Sequence, residues 1–598
     1  MLPQLRTRFQ YLRASGTLRR VGLYGAGGLV LASLAWILIT GALARQQAIR
    51  MEDRLHQVEG LVIAGKLNAA QQAAQDIPAM ARRAHWLTTG PVWWAAAHVP
   101  YLGRPLEIVR GTTEATHQIG SNGIPTLLQV ATSLDPTRLR TAGDTIDLAP
   151  LIAAEPKMAK AARTLDAAVA EIGGLPQQSW LKQVVGPRNR LEAELRGIQG
   201  YVDAAARVTK ILPAMLGVDG PKRYFVGLQN EAELRGTGGL PGAFAVLVAD
   251  HGTIRFTHFE SDTALLPVAQ GQRIPTGLDF GADYNSAYGA AVPTSFFTNS
   301  NMSPHFPYAA QVWATMWQKA SGEHVDGAIA LDPAVLGQFL AVTGPVAMPD
   351  GSALSAANVV TLTQRDEYAI FPTIAERKAY LVAILKAAST QLTSGKGSAL
   401  GLMQAMSASA TQHRVLVWSA DPAVEAALAE TNYAGVIPES SRPFVGLVLN
   451  NVAAGKMDFY LARTLTYHRS GCGQTRDVIV TVTLTNRTPV AGLSPYVTTR
   501  LDRHTNPVRP GDNRTLLDYY ASSGAQLLSV TLNGEPATAG VEHARGHPIF
   551  RMNLELPRGT TQTVVLHLAE PAGTGTPQIW QQPGVTPLAV HAYSQPCG

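Results

Sequence analysis

Hydrophobic residues follow three successive patterns along this chain, and each pattern predicts a different kind of structure. The first pattern is one uninterrupted apolar run near the N-terminus, Val21 to Ala44, which contains no charged side chain. In a helix that rises about 1.5 Å per residue, this run spans the roughly 30 Å of a bilayer core. It predicts a single-pass transmembrane anchor over residues 21–44, because no other stretch reaches about 18 apolar residues.

The charges beside this run give the anchor a direction. The formal net charge of the chain is +6, and five arginines precede the apolar run, whereas the first acidic residue, Glu52, comes after it. Basic flanks stay in the cytoplasm, so residues 1–20 are predicted to be a cytoplasmic tail of a cell-membrane protein whose bulk, after Arg45, is extracytoplasmic. The remaining chain is nearly neutral, which argues against nucleic-acid binding.

A cleavable signal peptide is the alternative interpretation of the same run. Ala42-Leu43-Ala44 has the small-x-small form of a cleavage site. The run is longer than the roughly 7–15 apolar residues of such signals, so a retained anchor is favoured.

The second pattern has helical period and covers residues 45–206. Leu55, Val58 and Val62 share one helix face, and Leu165, Val169 and Ile172 share another. Glycine and proline breaks divide the segment into several helices of a bundle or stalk. These breaks are at Gly90-Pro91, Gly103-Arg104-Pro105, Leu134-Asp135-Pro136 and Gly186-Pro187. Trp93, Trp94, His98 and Tyr101 lie either in the bundle core or at lipid headgroups, and the core is favoured.

The third pattern is rich in strands. Strand-like runs alternate with helical segments over residues 207–440, which predicts a layered α/β domain. Residues 441–598 have period 2, as in Val478, Val480, Val482 and Leu484, and predict a β-sandwich. The predicted fold is therefore multidomain: a transmembrane helix, a helical region, an α/β domain and a β-sandwich.

Cys472 and Cys597 are the two cysteines of the chain. Both fall in the segment predicted to be exported, where disulfides persist, so we expect them to form a disulfide. Two unpaired thiols are the alternative.

Candidate chemistry is concentrated in a glycine-rich loop within residues 229–242, QNEAELRGTGGLPG. Backbone N–H groups at Gly238 and Gly239, together with Arg235, suit an anionic group such as a phosphate. The alternative is a structural turn in which Arg235 pairs with Glu231 or Glu233. Signatures of P-loops, metalloproteases and serine hydrolases do not occur, so a soluble hydrolase is not predicted, and one membrane span does not make a transporter.

Several segments of the chain resemble a bacterial family known as domain of unknown function 4012. The segments are YFVGLQNEAELRGTGGLPG from Tyr224, NMSPHFP from Asn301, VDGAIALDP from Val325, TGPV from Thr343 and KMDFYL from Lys456. The central domain also distantly resembles the LytR-CpsA-Psr phosphotransferases, which move glycopolymers from polyprenyl pyrophosphate to the cell wall. Both resemblances imply an envelope protein.

The second resemblance implies the roles of particular residues. Arg235, Arg365 and Arg377 would bind phosphate, with Arg235 and Asp262 catalytic, and Asp262 with Glu231 would hold Mg²⁺. The chain departs from that pattern because Gly-Thr-Gly-Gly follows Arg235 and Ser261 stands where an arginine is expected. Taken singly, Asp262 also reads as an exposed loop carboxylate, and Arg365 and Arg377 as helix-surface charges paired with acidic neighbours.

Two functions follow from these expectations. The first is binding or transfer of a polyprenyl-(pyro)phosphate-linked glycan in cell-wall or exopolysaccharide assembly, with that glycan and a wall polymer as partners. The second is a non-catalytic envelope scaffold, which the missing aspartate and arginine favour.

Overall fold

The structure is a computed structural model that describes residues 4–63, 66–134, 139, 145–266, 273–394, 396–503, 507–573 and 575–597. It divides into two compact units. One comprises Met1–Asp135 and Ala149–Lys210, and the other Pro136–Leu148 and Ile211–Gly598. The second unit therefore spans the segments predicted as the α/β domain and the β-sandwich.

Helix α1, Gln4–Ile63, contains the apolar run. Among the described residues, it holds the one helical segment long and apolar enough to cross a membrane, Gly28–Leu61. Leu38 and Ile39 in this segment are exposed. The predicted apolar helix near the N-terminus is present. The first residues of the predicted basic tail lie outside the described residues.

The rest of the first unit is helical, as its sequence period predicts. Its helices are α2 Leu67–Ala73, α3 Ile77–Thr88, α4 Pro91–Ala97, α5 Arg104–Gln118, α6 Ile124–Ser133, α7 Ala149–Gly174 and α8 Lys182–Met215, with a π-helical turn at Ile119–Gly123. Ala115, Val130, Leu165, Ile172 and Leu195 pack in a shared core.

The helix break predicted at Gly186-Pro187 is wrong, because α8 continues through both residues. Arg188 explains why the first turns persist. Its guanidinium is buried and donates to the Ile172 carbonyl and to Glu192, so contacts with α7 hold this part of α8 despite the proline.

A five-stranded mixed sheet begins the second unit, with strand order β3-β2-β1-β4-β7. The strands are β1 Lys222–Arg235, β2 Gly238–Asp250, β3 Thr253–Ser261, β4 Gly327–Leu331 and β7 Leu416–Ser419, and a small separate sheet contains β5 Val346–Ala347 and β6 Ala353–Leu354. β1 and β4 pair in parallel, whereas the other neighbours are antiparallel.

Helices alternate with the strands of the five-stranded sheet along the chain. They are α9 Ala282–Tyr288, α10 Phe306–Ser321, α11 Pro333–Thr343, α12 Ile374–Thr393, α13 Ala399–Thr411 and α14 Pro422–Ala429, with short turns at Asp262–Leu265, Gly289–Ala291, Phe297–Asn299, Val359–Thr361, Leu362–Asp366 and Glu367–Ile370. Trp313 of α10 is fully buried beside Phe225 and Phe244 of the sheet. Alternating strands and helices are thus present here.

Two further sheets follow, with strand orders β13-β12-β16-β10-β9-β18 and β14-β15-β11-β8-β17. Their strands are β8 Phe444–Asn451, β9 Leu461–Ser470, β10 Thr475–Asn486, β11 Asn513–Tyr520, β12 Gln526–Leu532, β13 Glu535–Pro536, β14 Gly540–Ala544, β15 His547–Leu556, β16 Thr561–Pro571, β17 Gln578–Gln581 and β18 Ala589–Ser594; short turns occupy Met457–Tyr460 and Pro495–Thr498. Val480, Leu517 and Leu566 belong to one core that both sheets share. The period-2 pattern of β10 reflects this core, because its alternate residues are buried.

The predicted disulfide between Cys472 and Cys597 is present, with Cα atoms 5.6 Å apart. It lies just beyond β18, which pairs in parallel with the edge of β9. The disulfide thus fastens the last strand to the sheet.

Candidate functional site

The glycine-rich segment folds as a buried hairpin between β1 and β2. Arg235 pairs with Gly238, so Gly236 and Thr237 form the turn. A Cβ atom on Gly236 would lie 2.1 Å from the Met302 carbonyl oxygen, and one on Gly239 would lie 2.2 Å from the Asn230 carbonyl carbon. These glycines therefore allow close backbone packing. Phosphate binding by Gly238 and Gly239 stays a prediction, and both residues are buried.

A bulge in β1 sends two acidic side chains into different surroundings. The register with β2 shifts between Asn230 and Leu234, so the three residues between them have no partner in β2. Glu231 and Glu233 are both buried there. Each is stabilised by its own set of cations, because a buried carboxylate without a partner is strongly unfavourable.

Glu233 bridges two cations. Its Oε1 accepts a 2.9 Å bond from Arg235 Nη2, and its Oε2 is 2.5 Å from Lys456 Nζ. Burial by itself would raise the pKa of Glu233, but the charges of Lys456 and Arg235 outweigh burial and lower it to about 2. Burial favours neutral Lys456, yet Glu233 raises the Lys456 pKa above its ordinary value. All three groups are therefore charged near neutral pH.

Every nitrogen of the Arg235 guanidinium has a partner within the protein. Nε donates to the Thr298 carbonyl, Nη1 donates to the carbonyls of Leu234 and Asn451, and Nη2 contacts Glu233. The Gln582 side chain also donates to the Arg235 carbonyl. Arg235 thus ties the hairpin to the C-terminal sheets.

Asp262 begins the turn after β3 and faces α12. Its Oδ1 lies 2.6 Å from Lys378 Nζ, and the carboxyl group is buried. Burial raises the pKa of Asp262 above its ordinary value, and the charge of Lys378 only partly offsets this. Asp262 is therefore not the exposed loop carboxylate of the alternative interpretation.

Lys378 and Lys456 meet at a narrow opening, here called the basic cleft. Its polar and aromatic lining comprises Asn230, Glu367, Tyr368, Arg377, Lys378, Lys456 and Tyr496. The accessible volume is about 20 Å³, which is enough for roughly one water molecule. A larger group must therefore enter from outside and displace a wall of the cleft.

Arg377 lies flat on the Tyr496 ring, 3.8 Å from its centroid, and donates to the carbonyls of Phe371 and Pro372. Among the residues that the structure describes, its Nε has no hydrogen-bond partner. Glu367 is also buried, and within the same residues its Oε2 has no hydrogen-bond partner. Burial raises the pKa of Glu367 to about 8, because the nearby cations Lys456, Lys378 and Arg377 offset it only in part.

An open groove of about 540 Å³ adjoins the basic cleft and shares Ile374 and Lys378 with it. The groove is lined by Phe259, Ala375, Ala379 and Val382 together with polar residues that flank Asp262. Ile374 is 55% exposed. An apolar surface thus continues outward from the Lys378 ammonium group.

Glu231 belongs to a separate buried cluster. Arg414 Nη1 lies 2.9 Å from Glu231 Oε1 and 2.5 Å from Asp332 Oδ2, and Gln364 donates to Glu231 Oε2. Burial and the nearby Asp332 charge raise the pKa of Glu231 well above its ordinary value. Two carboxyl groups here share one guanidinium.

The structure brings some of the predicted site residues together and separates others. Arg377 lines the basic cleft, Asp262 contacts its Lys378, and Arg235 shares Glu233 with its Lys456. Arg365 is instead exposed, pairs with Asp366 at 2.7 Å, and lies over the Phe459 ring. Glu231 lies in the Arg414 cluster.

The described residues contain no group of three or more His, Cys, Asp and Glu side chains that could hold a metal ion. Asp262 faces Lys378 and Glu231 faces Arg414, so each predicted ligand already has a cationic partner. In this arrangement the two residues do not fit Mg²⁺, and the metal site stays a prediction.

Six of the polar and aromatic residues that line the cleft are absent from the predicted site residues: Asn230, Glu367, Tyr368, Lys378, Lys456 and Tyr496. Lys378 is adjacent to Arg377, and Lys456 begins the KMDFYL segment that carries part of the family resemblance. The sequence therefore contained a signal for each of these two lysines. Glu367 and Tyr496 have no comparable signal, because only the tertiary fold brings them to Arg377.

These features define a class: a multidomain protein in which an α/β sheet and two further sheets hold a buried cluster of acids and bases. Residues 219–368 match the model of a family described as a protein of unknown function (DUF4012), so the predicted family is confirmed, over this stretch. The match includes the hairpin and Glu367 and ends before Arg377 and Lys456. Neither a curated protein nor a solved structure matches the chain.

Proposed function

We propose that this chain is a membrane-anchored envelope protein that binds the phosphate end of a polyprenyl-(pyro)phosphate-linked glycan, in cell-wall or exopolysaccharide assembly. The observation that carries the proposal is the basic cleft with Arg377 and Glu367 inside it. The charge of this cleft and the groove beside it both suit such a ligand.

The cleft and its bordering ion pairs contain more cations than ionised carboxylates near neutral pH. The cations are Arg235, Arg377, Lys378 and Lys456, and the acids are Glu233, Asp262 and Glu367. Glu367, with a pKa of about 8, is neutral at pH 7. A bound phosphate would supply the missing negative charge. It would also accept hydrogen bonds from the unpartnered Arg377 Nε and from the protonated Glu367 carboxyl.

The neighbouring groove suits the hydrocarbon part of such a ligand. Phe259, Ile374 and Val382 offer apolar surface directly beside Lys378. An isoprenoid chain in the groove would leave its phosphate at the Lys378 ammonium group. Burial of apolar surface and charge neutralisation would then act on the same ligand.

The membrane anchor gives this binding site a location. Arginines on the N-terminal side of the apolar helix favour a cytoplasmic N-terminus and an extracytoplasmic bulk. The disulfide between Cys472 and Cys597 supports this orientation, because disulfides persist in oxidising compartments. A lipid-linked glycan on that side of the membrane would be within reach of the site.

The same proposal assigns a fold to the central domain and to the C-terminal sheets. Parallel pairing of β1 with β4 supports a LytR-CpsA-Psr-like central domain, and the core shared by two sheets supports a C-terminal β-sandwich. Binding is favoured over glycan transfer, because Arg235 and Asp262 are both engaged in internal ion pairs.

A non-catalytic scaffold is the second candidate function. It is favoured by the small volume of the cleft and by Arg235, whose bonds fasten the hairpin to the C-terminal sheets. In that case the ion pairs would serve stability and the cleft would have no ligand.

Binding of a synthetic polyprenyl phosphate to the full chain in nanodiscs tests the two candidates. Lys378→Gln combined with Asp262→Asn removes both charges of an ion pair together, and we expect it to weaken binding about tenfold or more. The matched control is Arg365→Gln, an exposed arginine outside the cleft lining, which should bind like wild type. If both variants lose the same affinity for polyprenyl phosphate, or if wild type does not bind it, the cleft is not the site.

A further inference from the structure

A surface of exposed aromatic and aliphatic side chains lies in the first unit. Its members are Trp94, Val99, Tyr101, Leu102 and Trp180, and we call it the aromatic foot. Trp94 is 55% exposed and Tyr101 is 63% exposed. Exposed apolar surface of this kind marks a site of contact with a partner or a membrane.

The foot is attached to the anchor helix through Trp93. This residue is 2% exposed, and its indole Nε1–H donates to Thr40 Oγ1 at 2.8 Å. Its ring also packs over Gly41, where an added Cβ atom would lie 3.5 Å from the ring carbons. Trp93 is thus a core residue, as favoured for the whole segment, whereas its neighbour Trp94 is exposed.

This attachment fixes the level of the foot along α1. Thr40 precedes Ala44, the end of the apolar run, by one helical turn, or about 6 Å. The segment Pro91–Ala97 therefore contacts the anchor at the outer boundary of the predicted hydrocarbon span. Tryptophan and tyrosine are the residues enriched at this boundary, because their rings are amphipathic.

The local backbone presents the foot outward. Tyr101 has a φ of 64°, in the left-handed region that a bulky residue rarely adopts. The tight turn continues into Gly103, where a Cβ atom would lie 2.2 Å from the Ala97 carbonyl oxygen. Trp180 joins from another segment by donating to the Leu102 carbonyl at 3.3 Å. Two parts of the chain thus meet at this surface.

We propose that the aromatic foot inserts into the headgroup and upper acyl region of the outer leaflet beside the anchor helix. The bilayer is favoured as occupant because the foot is continuous with the apolar helix. It is favoured also because residues 90–103 contain no acidic or basic side chain apart from His98. The inference rests on the membrane anchor of the proposed function but not on ligand binding at the cleft.

Lipid-quenching of a fluorophore in nanodiscs tests this assignment. Trp94→Cys and Tyr101→Cys, each labelled with an environment-sensitive dye, use the full chain, whose native cysteines are joined in a disulfide. Lys160→Cys on α7 is the matched control, since it is also exposed. We expect quenching at 94 and 101 by lipids with a nitroxide near the headgroup, about twofold stronger than with a nitroxide near the chain end.

If the dyes at positions 94 and 101 are quenched as weakly as the dye at position 160, the proposal is overturned. A blue-shifted dye emission that rises with protein concentration, without lipid quenching, would assign the foot to a second copy of the chain and also overturn it. Loss of polyprenyl-phosphate binding in the cleft variants would not change the quenching. The two proposals therefore fail separately.

Discussion

The ammonium group of Lys456 lies 2.5 Å from the carboxylate of Glu233, although the two residues are more than 200 positions apart in the chain. Glu233 belongs to the bulge of β1, whereas Lys456 follows β8 of a C-terminal sheet. Both side chains are nearly inaccessible to solvent. This buried pair thus joins the sheet that carries the family match to the sheets that follow it.

Replacing Lys456 by methionine should destabilise the second unit strongly. The change leaves Glu233 buried with one cation in place of two, and removing one partner of a buried ion pair costs about 3–5 kcal/mol. Thermal unfolding of the full chain in detergent would measure the change.

The double variant Lys456→Met/Glu233→Gln should lose more stability than Lys456→Met alone, because it leaves the buried Arg235 guanidinium without a carboxylate partner. Arg365→Ala, which removes an exposed ion pair with Asp366, should change stability by about 0.5 kcal/mol or less. A Lys456→Met variant as stable as wild type would contradict the burial of this pair.

Glu367 should make the protein less stable as the pH rises. Its pKa is about 8 in the folded chain and lies near its ordinary value of 4.5 in the unfolded chain. Between these values the folded state holds a proton that the unfolded state has lost. The free energy of unfolding therefore falls by up to about 1.4 kcal/mol for each pH unit from roughly pH 5 to pH 8.

Comparison of melting temperature against pH for wild type and Glu367→Gln isolates this contribution. The variant should have a flatter profile in the same window, because its amide does not titrate. Glu430→Gln, an exposed control, should keep the wild-type slope. Identical slopes in all three proteins would show that Glu367 is ionised in the folded chain.

Gly236→Ala should destabilise the hairpin by about 1–3 kcal/mol, because backbone atoms must move to admit the new methyl group. Gly197→Ala is the contrasting control, since this position in α8 has no atom within 4 Å of an added Cβ. It should stabilise by about 0.5–1 kcal/mol through helix propensity. Chemical denaturation of both variants would check the difference. A Gly236→Ala variant as stable as wild type would indicate that the loop is open.

The sequence predicts much of the fold because each unit has a strong local pattern. The uncharged run of α1, the helical period of Leu165, Val169 and Ile172, and the alternation along β10 are all local signals. Such patterns indicate which side of a helix or strand is buried. The failure at Gly186-Pro187 has the opposite cause, because the contacts of Arg188 come from another helix.

The candidate site was less predictable, for a related reason. Arg235 has the same residue type whether it binds a ligand or a carbonyl, and only the fold shows that Thr298 and Asn451 accept its hydrogen bonds. Likewise Glu367 reads as a helix-surface acid, yet the tertiary fold buries it beside Lys456. Long-range contacts decide these roles, and no spacing in the sequence encodes them.

Native mass spectrometry of the full chain, purified gently from its own membrane, is the most direct test for a polyprenyl-linked ligand. We expect a bound species whose mass fits a polyprenyl phosphate or pyrophosphate carrying sugars, present in wild type and depleted in Lys378→Gln/Asp262→Asn. A wild-type protein that carries ordinary phospholipids alone, in the same amounts as the double variant, would contradict it.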